Sequence, residues 1–393
     1  MAAPRKGELG SNRVDRGVHS FESTTAYGTP VEYGLSEQSE QYNSRSPEMV
    51  EILRTINTEE GLLACTGGIA ILIMDYILGA IRDAPNLEHL GKHCDLAPML
   101  TPRIAVKLSQ RSSRIPSSAH IPHGSLAVVH ARRQGAFGQI YFGNSAGDAV
   151  AIKQPTGNYS KIKVTRAVLK ELMLGLLLNH PHVLTPIGAT DTLFPGSLCI
   201  ISPWMICGTL REYVSITTDG TREIPRLLTE LADALSYIHS IDIVHGDLRV
   251  PNILVDGGGH IRVGDFGMSG FNGSSAESSS PQVTGAVGYL APEIIAPESF
   301  GLPELPRSTF MTDVFAYGSV CYEVLEGHPP FSGIFFAQVV WKVLQGRRCA
   351  KPPDVTPELW DLVERCWAHS PKERPNALHV LSLARNITSA FHA

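Results

Sequence analysis

Apolar positions recur with a helical period between residues 47 and 112, change to short continuous runs near residue 126, and return to a helical period after residue 227. Met49, Ile52, Leu53 and Ile56 follow at i, i+3, i+4 and i+7, one face of a helix. Ser46-Pro47 would start it, the hydroxyl as cap and the proline in a first turn where no hydrogen bond is lost. A short helix is expected over residues 86–93, and another from Thr101-Pro102 with Ile104, Ala105 and Leu108 inward. Between them, residues 61–81 (GLLACTGGIAILIMDYILGAI) form the longest apolar run. Its length is about what a bilayer crossing requires. Asp75, however, would cost roughly 2.5–3.5 kcal/mol near mid-span, and Thr66-Gly67-Gly68 dilute the run. It therefore reads as a mostly buried helix with Asp75 on its wet or paired side, membrane contact through residues 61–81 being the alternative.

The flanking segments carry no such period. Residues 1–46 are rich in Ser, Gly, Glu and Thr, bury too little apolar surface to offset the cost of ordering, and read as a disordered tail. Residues 47–112 are expected as a small helical region and 113–124, with Ser, Pro and His, as a linker. From Leu126 the runs Val128-Val129, Gln139-Ile140-Tyr141 and Ala149-Val150-Ala151-Ile152 suggest strands. A helix is expected over residues 166–179 with Ala167, Leu172, Leu174, Leu176 and Leu178 inward, then an apolar strand and turn over 198–210. Residues 227–239 are strongly helical, with Leu228, Leu231, Leu235 and Ile238 on one side, and 313–383 are mostly helical.

Composition narrows the class. A 393-residue chain, 43% hydrophobic and 18% charged, is long enough for two or three domains with a large core. A net charge of −5 gives no reason to expect nucleic acid as a partner, since phosphate backbones demand a basic surface. The seven cysteines form no Cys-x-x-Cys pair, which fits a reducing compartment. The first residues lack an apolar signal core and carry Ala2 where myristoylation would need glycine, so the default address is cytoplasmic.

Candidate chemistry concentrates in residues 244–267, where Asp247 stands five residues before Asn252 and Asp265 thirteen residues after it. Magnesium-assisted phosphoryl transfer needs such a set: one carboxylate beside the acceptor hydroxyl, and hard oxygen donors to hold metal ions against a triphosphate. Upstream, Gly135 and Gly138 bracket a turn in which backbone N–H groups could approach a phosphate, though an ordinary hairpin would look the same. Val150-Ala151-Ile152-Lys153 follows, and Glu171 is the only acid in the helical run after it.

His245-Gly246-Asp247-Leu248-Arg249-Val250-Pro251-Asn252 and Asp265-Phe266-Gly267 resemble the catalytic loop and D-F-G segment of protein kinases, and the glycine turn and Lys153 resemble that family's glycine-rich loop and third-strand lysine. The resemblance covers residues 125–386. It implies an α+β, two-lobed protein kinase fold, a small β-rich lobe and a helical lobe with ATP between them. It further implies that Lys153, held by Glu171, pairs with phosphates, that Asp247 orients the acceptor hydroxyl and takes its proton, and that Arg249 offsets charge on the transferring group. Asn252 and Asp265 are the implied magnesium ligands, and Gly135, Gly138, Ile140, Ala151, Lys153, Ser202, Pro203 and Met205 the implied ATP-binding residues. His245 is read as structural. Cys366-Trp367 and Pro371-Lys372-Glu373-Arg374-Pro375 resemble the tyrosine-kinase-like group, with Arg374 expected to pair with Glu293. The His-Gly-Asp and Ser-Pro-Trp-Met variants resemble kinase-like families expanded in mushroom-forming fungi.

Three positions depart from the family pattern. Arg133 replaces the first loop glycine, Ala286 stands where a threonine would contact the catalytic loop, and Gly246 replaces the arginine that clamps a phosphorylated activation loop. The implied function is ATP- and magnesium-dependent phosphorylation of Ser/Thr in protein substrates during intracellular signalling. A pseudokinase scaffold is the alternative favoured by the departures and opposed by the complete polar set. A third reading makes the N-terminal helices a membrane-binding or oligomerising effector controlled by the kinase part.

Overall fold

A computed structural model of the chain describes residues 56, 58–83, 100–135, 138–156, 160–217, 220–272, 287–303 and 307–391. The expected tail, the helix starting at Ser46-Pro47, the helix over 86–93, and residues 273–286 with Ala286 lie outside them.

The apolar run of residues 61–81 is two helices, not one. Helix α1 (Glu59–Ala64) is capped by the Thr58 hydroxyl, which accepts from Gly61 N, and ends where Cys65 turns extended. Helix α2 (Gly67–Asp83) restarts at Gly67, whose φ of +56° lies in the left-handed region that favours glycine. The backbone thus breaks at a residue the hydropathy pattern treats only as a dilution. Ile73, Met74, Ile77 and Leu78 are buried, and among the described residues no helix is long and apolar enough to cross a membrane. Asp75 is on a paired side: its carboxylate accepts from Ser117 N (2.9 Å), Ser118 N (3.1 Å) and Ser118 Oγ (2.6 Å), closing a 3₁₀ turn over Ser117–Ala119. Helix α3 (Pro102–Ser112) starts at Thr101, whose hydroxyl accepts from Ile104 N, and buries Ile104, Ala105 and Leu108 as expected.

Past the turn, Ile121 N donates to Ala189 O (3.0 Å), tying residues 117–121 to a five-stranded antiparallel sheet. Its strands are β1 (Leu126–Gly135), β2 (Gly138–Ser145), β3 (Asp148–Pro155), β4 (Gly188–Phe194) and β5 (Ser197–Pro203), in the order β1-β2-β3-β5-β4. Helix α4 (Lys161–Leu177) packs on β5 and β4. Its buried face runs through Val168, Leu169, Leu172, Met173 and Leu176, an i, i+3, i+4 series. Leu172, Leu174, Leu176 and Leu178 are buried as expected, whereas Ala167, in the earlier turns of the helix, is exposed.

The helical lobe is built on α8 (Phe310–Glu326), buried along most of its length, with Val314, Phe315, Tyr317 and Val320 inaccessible. Around it lie α5 (Leu210–Ile216), α6 (Gly220–Ser240), α7 (Pro292–Ile295), α9 (Phe336–Leu344), α10 (Pro357–Cys366) and α11 (Ala377–Phe391). Leu228, Leu231, Leu235 and Ile238 of α6 are all buried, as their spacing predicts. Two short ribbons hold the intervening loops: β6 (Ile243–Val244) with β9 (Gly270–Phe271), and β7 (Ile253–Val255) with β8 (Ile261–Val263).

Candidate active site

A cleft of about 440 Å³ lies where the sheet meets the helical lobe. From the sheet it is lined by Gly138, Ile140, Ala151 and Lys153, and from the segment joining the lobes by Ser202, Pro203, Trp204 and Met205. Glu171 reaches it from α4, and Asp247, Arg249, Asn252 and Asp265 from the helical lobe. Strand register produces the first group: Ile140 lies opposite Lys153 and Ala151 opposite Ser202, and Ala151 and Lys153 are alternate residues of β3, so these four share one face. Gly135 is paired with Gly138 at the end of the β1–β2 ribbon, and the tip between them is outside the described residues.

Lys153 is the polar junction of the cleft. Its Nζ lies 2.6 Å from Glu171 Oε1 and 2.8 Å from Asp265 Oδ1, with all three side chains mostly buried. Burial by itself would lower the ammonium pKa, but the two carboxylates outweigh it and hold it above its ordinary value. Asp265 is desolvated as well, yet Lys153 and the Gly267 N–H keep its carboxyl below the usual range. Burial pushes Glu171 up against the pull of Lys153.

The Asp247 loop is fastened from below and from the side. Asp313, at the start of α8, accepts from His245 N (2.7 Å) and Gly246 N (2.9 Å). His245 Nδ1 accepts from Asp247 N, which assigns the ring proton to Nε2 and makes that nitrogen the donor to Gly264 O (3.1 Å). His245 is fully buried, in keeping with a structural part. Asn252 Nδ2 donates to Asp247 O (2.8 Å) and Oδ2 (2.9 Å), which fixes the carboxylate and leaves the amide oxygen for another partner. Burial raises the Asp247 pKa, opposed by the Arg249 charge and the Asn252 amide. Arg249 Nε is buried without a hydrogen-bond partner among the described residues.

Gly246 has a φ of +78°, and a Cβ there would come within 3.0 Å of Met268 O. The departure from arginine therefore coincides with a backbone conformation that glycine adopts freely. The expected Arg374–Glu293 pair is present and bidentate, at 2.6 and 2.8 Å, far down the helical lobe.

Several lining residues carry no motif signal. Leu184, Ile200 and Leu254 supply apolar wall, and Thr209 and Glu212 form a capping box at the start of α5 that also borders the cleft. Arg132 lies 5.7 Å over the Trp204 ring at the rim. Trp204, between Pro203 and Met205, was the one of these that position in the lobe-joining segment could flag.

A five-stranded antiparallel sheet and a helical lobe closing on a shared cleft, with a lysine from one side and two acidic loops from the other, define the two-lobed protein kinase fold. Residues 128–383 match the model of the family described as protein tyrosine and serine/threonine kinase, and the chain belongs to that family. Among curated relatives, it is 28% identical over 281 residues to a probable serine/threonine-protein kinase drkD of Dictyostelium discoideum, covering 70% of this chain and 21% of that protein. It is 27% identical over 266 residues to serine/threonine-protein kinase STY46 of Arabidopsis thaliana, covering 67% of this chain and 44% of that one. With serine/threonine-protein kinase CTR1 of the same plant it shares 27% over 315 residues, 76% of this chain and 36% of the relative. The chain thus spans less than half the length of these relatives.

Proposed function

We propose that the chain is an ATP- and magnesium-dependent protein kinase that phosphorylates serine or threonine of protein substrates in cytoplasmic signalling, with residues 125–386 as its catalytic domain. The observation that carries this reading is Lys153, held between Glu171 and Asp265 in the same cleft that holds the Asp247–Asn252 pair.

The residues fit the group they would hold. The Lys153 ammonium suits the α and β phosphates, with Glu171 fixing its position. Asp265 and the free oxygen of Asn252 are hard donors of the kind magnesium takes. The orphaned Nε of Arg249 beside Asp247 suits an anionic oxygen. Ile140, Ala151, Leu184 and Leu254 suit the faces of a purine, and the Met205 N–H and Pro203 C=O are the groups that would read its edge. Bound magnesium supplies charge neutralisation of the triphosphate.

Asp247 orients the acceptor hydroxyl and takes its proton as the new O–P bond forms and the bond to the β-phosphate oxygen breaks, ADP leaving. Asn252 keeps the Asp247 carboxylate in one orientation through the reaction. Arg249 and Lys153 hold positive charge where negative charge moves. Every one of the three relatives named above is described as a serine/threonine-protein kinase, which supports that acceptor class. Incubating the chain with γ-labelled ATP, magnesium and a generic protein acceptor tests the reading. Label should enter phosphoserine and phosphothreonine and be abolished by chelation. Label in phosphotyrosine alone contradicts the acceptor class, and no label at all supports the scaffold alternative.

A further inference from the structure

Helix α3 (Pro102–Ser112), which precedes the kinase domain, touches both the helix that carries Glu171 and the ribbon that leads into the Asp247 loop. Its length packs against α4, the helix that carries Glu171, and Gln110 Nε2 donates to Arg166 O of that helix (3.3 Å). At its other end, Arg103 Nη2 lies 3.3 Å from both Asp242 Oδ2 and Asn272 O, and the guanidinium sits 5.1 Å over the Phe271 ring.

Those three partners are the end of one ribbon. Ile243 pairs with Phe271 and Val244 with Gly270, and Asn272 N donates to Asp242 O (2.9 Å) just beyond the last pair. One ribbon strand runs directly into His245-Gly246-Asp247, and the other leaves the turn that follows Asp265. The register of this ribbon therefore sets how the Asp247 loop and the Asp265 loop face each other. Arg103 clasps its open end through a carboxylate on one strand and a carbonyl and ring on the other.

We propose that Arg103 is a positioning residue for phosphoryl transfer, and that helix α3 is a built-in brace which holds Glu171, Asp247 and Asp265 in mutual alignment. The proposal rests on the kinase reading above. Arg103 touches no reacting atom and acts through the ribbon. An exposed ion pair contributes little to stability, and Arg103 is 38% exposed with Asp242 at 56%, so the consequence of losing it falls on alignment rather than folding. Its planar fork stacks on Phe271 while donating sideways, which the lysine ammonium cannot reproduce.

The test compares full-length wild type, Arg103→Ala, Arg103→Lys and Asp247→Asn. In Arg103→Ala, kcat should fall roughly five- to tenfold, with KM for ATP within about twofold and melting temperature within about 2 °C of wild type. Arg103→Lys should fall between the two. Hydrogen exchange, read without ligand, should quicken in Arg103→Ala over residues 242–247 and 264–272 as well as in α3. Both changes are required. A kcat within twofold of wild type overturns the proposal, as does exchange that changes only within α3, or a kcat loss matched by a collapse in melting temperature. If wild type transfers no more phosphate than Asp247→Asn, the kinase reading fails, and the exchange result alone then decides whether Arg103 braces the ribbon.

Discussion

Arg374 donates to both oxygens of Glu293, to Ala368 O and to Met311 O, and its guanidinium lies 5.0 Å over the Phe315 ring. Neither partner of the ion pair is accessible to water, with side-chain exposures of 0% and 3%. Arg374→Ala would leave the Glu293 carboxylate buried and unpaired, a loss of about 3–5 kcal/mol of stability that urea denaturation should register. Little change in the midpoint would contradict that account. At Asp247 the relevant quantity is protonation. Burial raises its pKa, and a base must be ionised to accept a proton, so kcat/KM should fall as pH drops through a value above the ordinary aspartate pKa of about 3.9. An acid limb at or below an ordinary aspartate would contradict the role. Asp247, Asn252 and Asp265 were flagged by type and spacing together with the resemblance to kinase motifs, whereas the Glu293–Arg374 pair, 81 positions apart, was expected from the resemblance alone. Arg103 was not, since its partner Asp242 is 139 positions away and no local pattern announces the contact.

At the scale of elements, the catalytic loop is held by contacts that need no phosphate. Asp313 binds two consecutive amides of the loop, Ser269 Oγ donates to His245 O (2.7 Å), and Gly246 occupies its left-handed conformation without a Cβ to strain. Activity is therefore expected to be independent of an arginine–phosphate clamp. Replacing Ser274, Ser275, Ser278, Ser279, Ser280 and Thr284 together by alanine should leave kcat within about twofold in a steady-state assay. Abolished activity would show a phosphate-dependent switch instead. The Asp75 turn is a second local lock, because one carboxylate closes two amides and a hydroxyl. Asp75→Ala should cost about 1–2 kcal/mol and appear as a lowered denaturation midpoint. An unchanged midpoint would mean that water replaces the carboxylate without loss. Hydropathy placed Asp75 on the wet or paired side of its helix but could not name the pair. Nor could it find the break at Gly67, which is a backbone event, or the exposure of Ala167, whose stripe is covered only further along α4, at Leu174 and Leu178.

Across the whole molecule, the strand runs and the 227–239 helix were legible because one buried face imposes one period. How the N-terminal helices meet the kinase domain was not, since that contact joins surfaces with no shared motif. The sheet delivers Lys153, α4 delivers Glu171, and the helical lobe delivers Asp247, Asn252 and Asp265 to one cleft. We propose that this convergence transfers phosphate. Its most direct measurement is the rate of γ-phosphoryl transfer by wild type and Asp247→Asn, with ATP affinity measured alongside. The variant should bind ATP within about threefold of wild type while its kcat falls roughly 10²–10⁴-fold. Equal rates in the two proteins, whether measurable or at background, would contradict it.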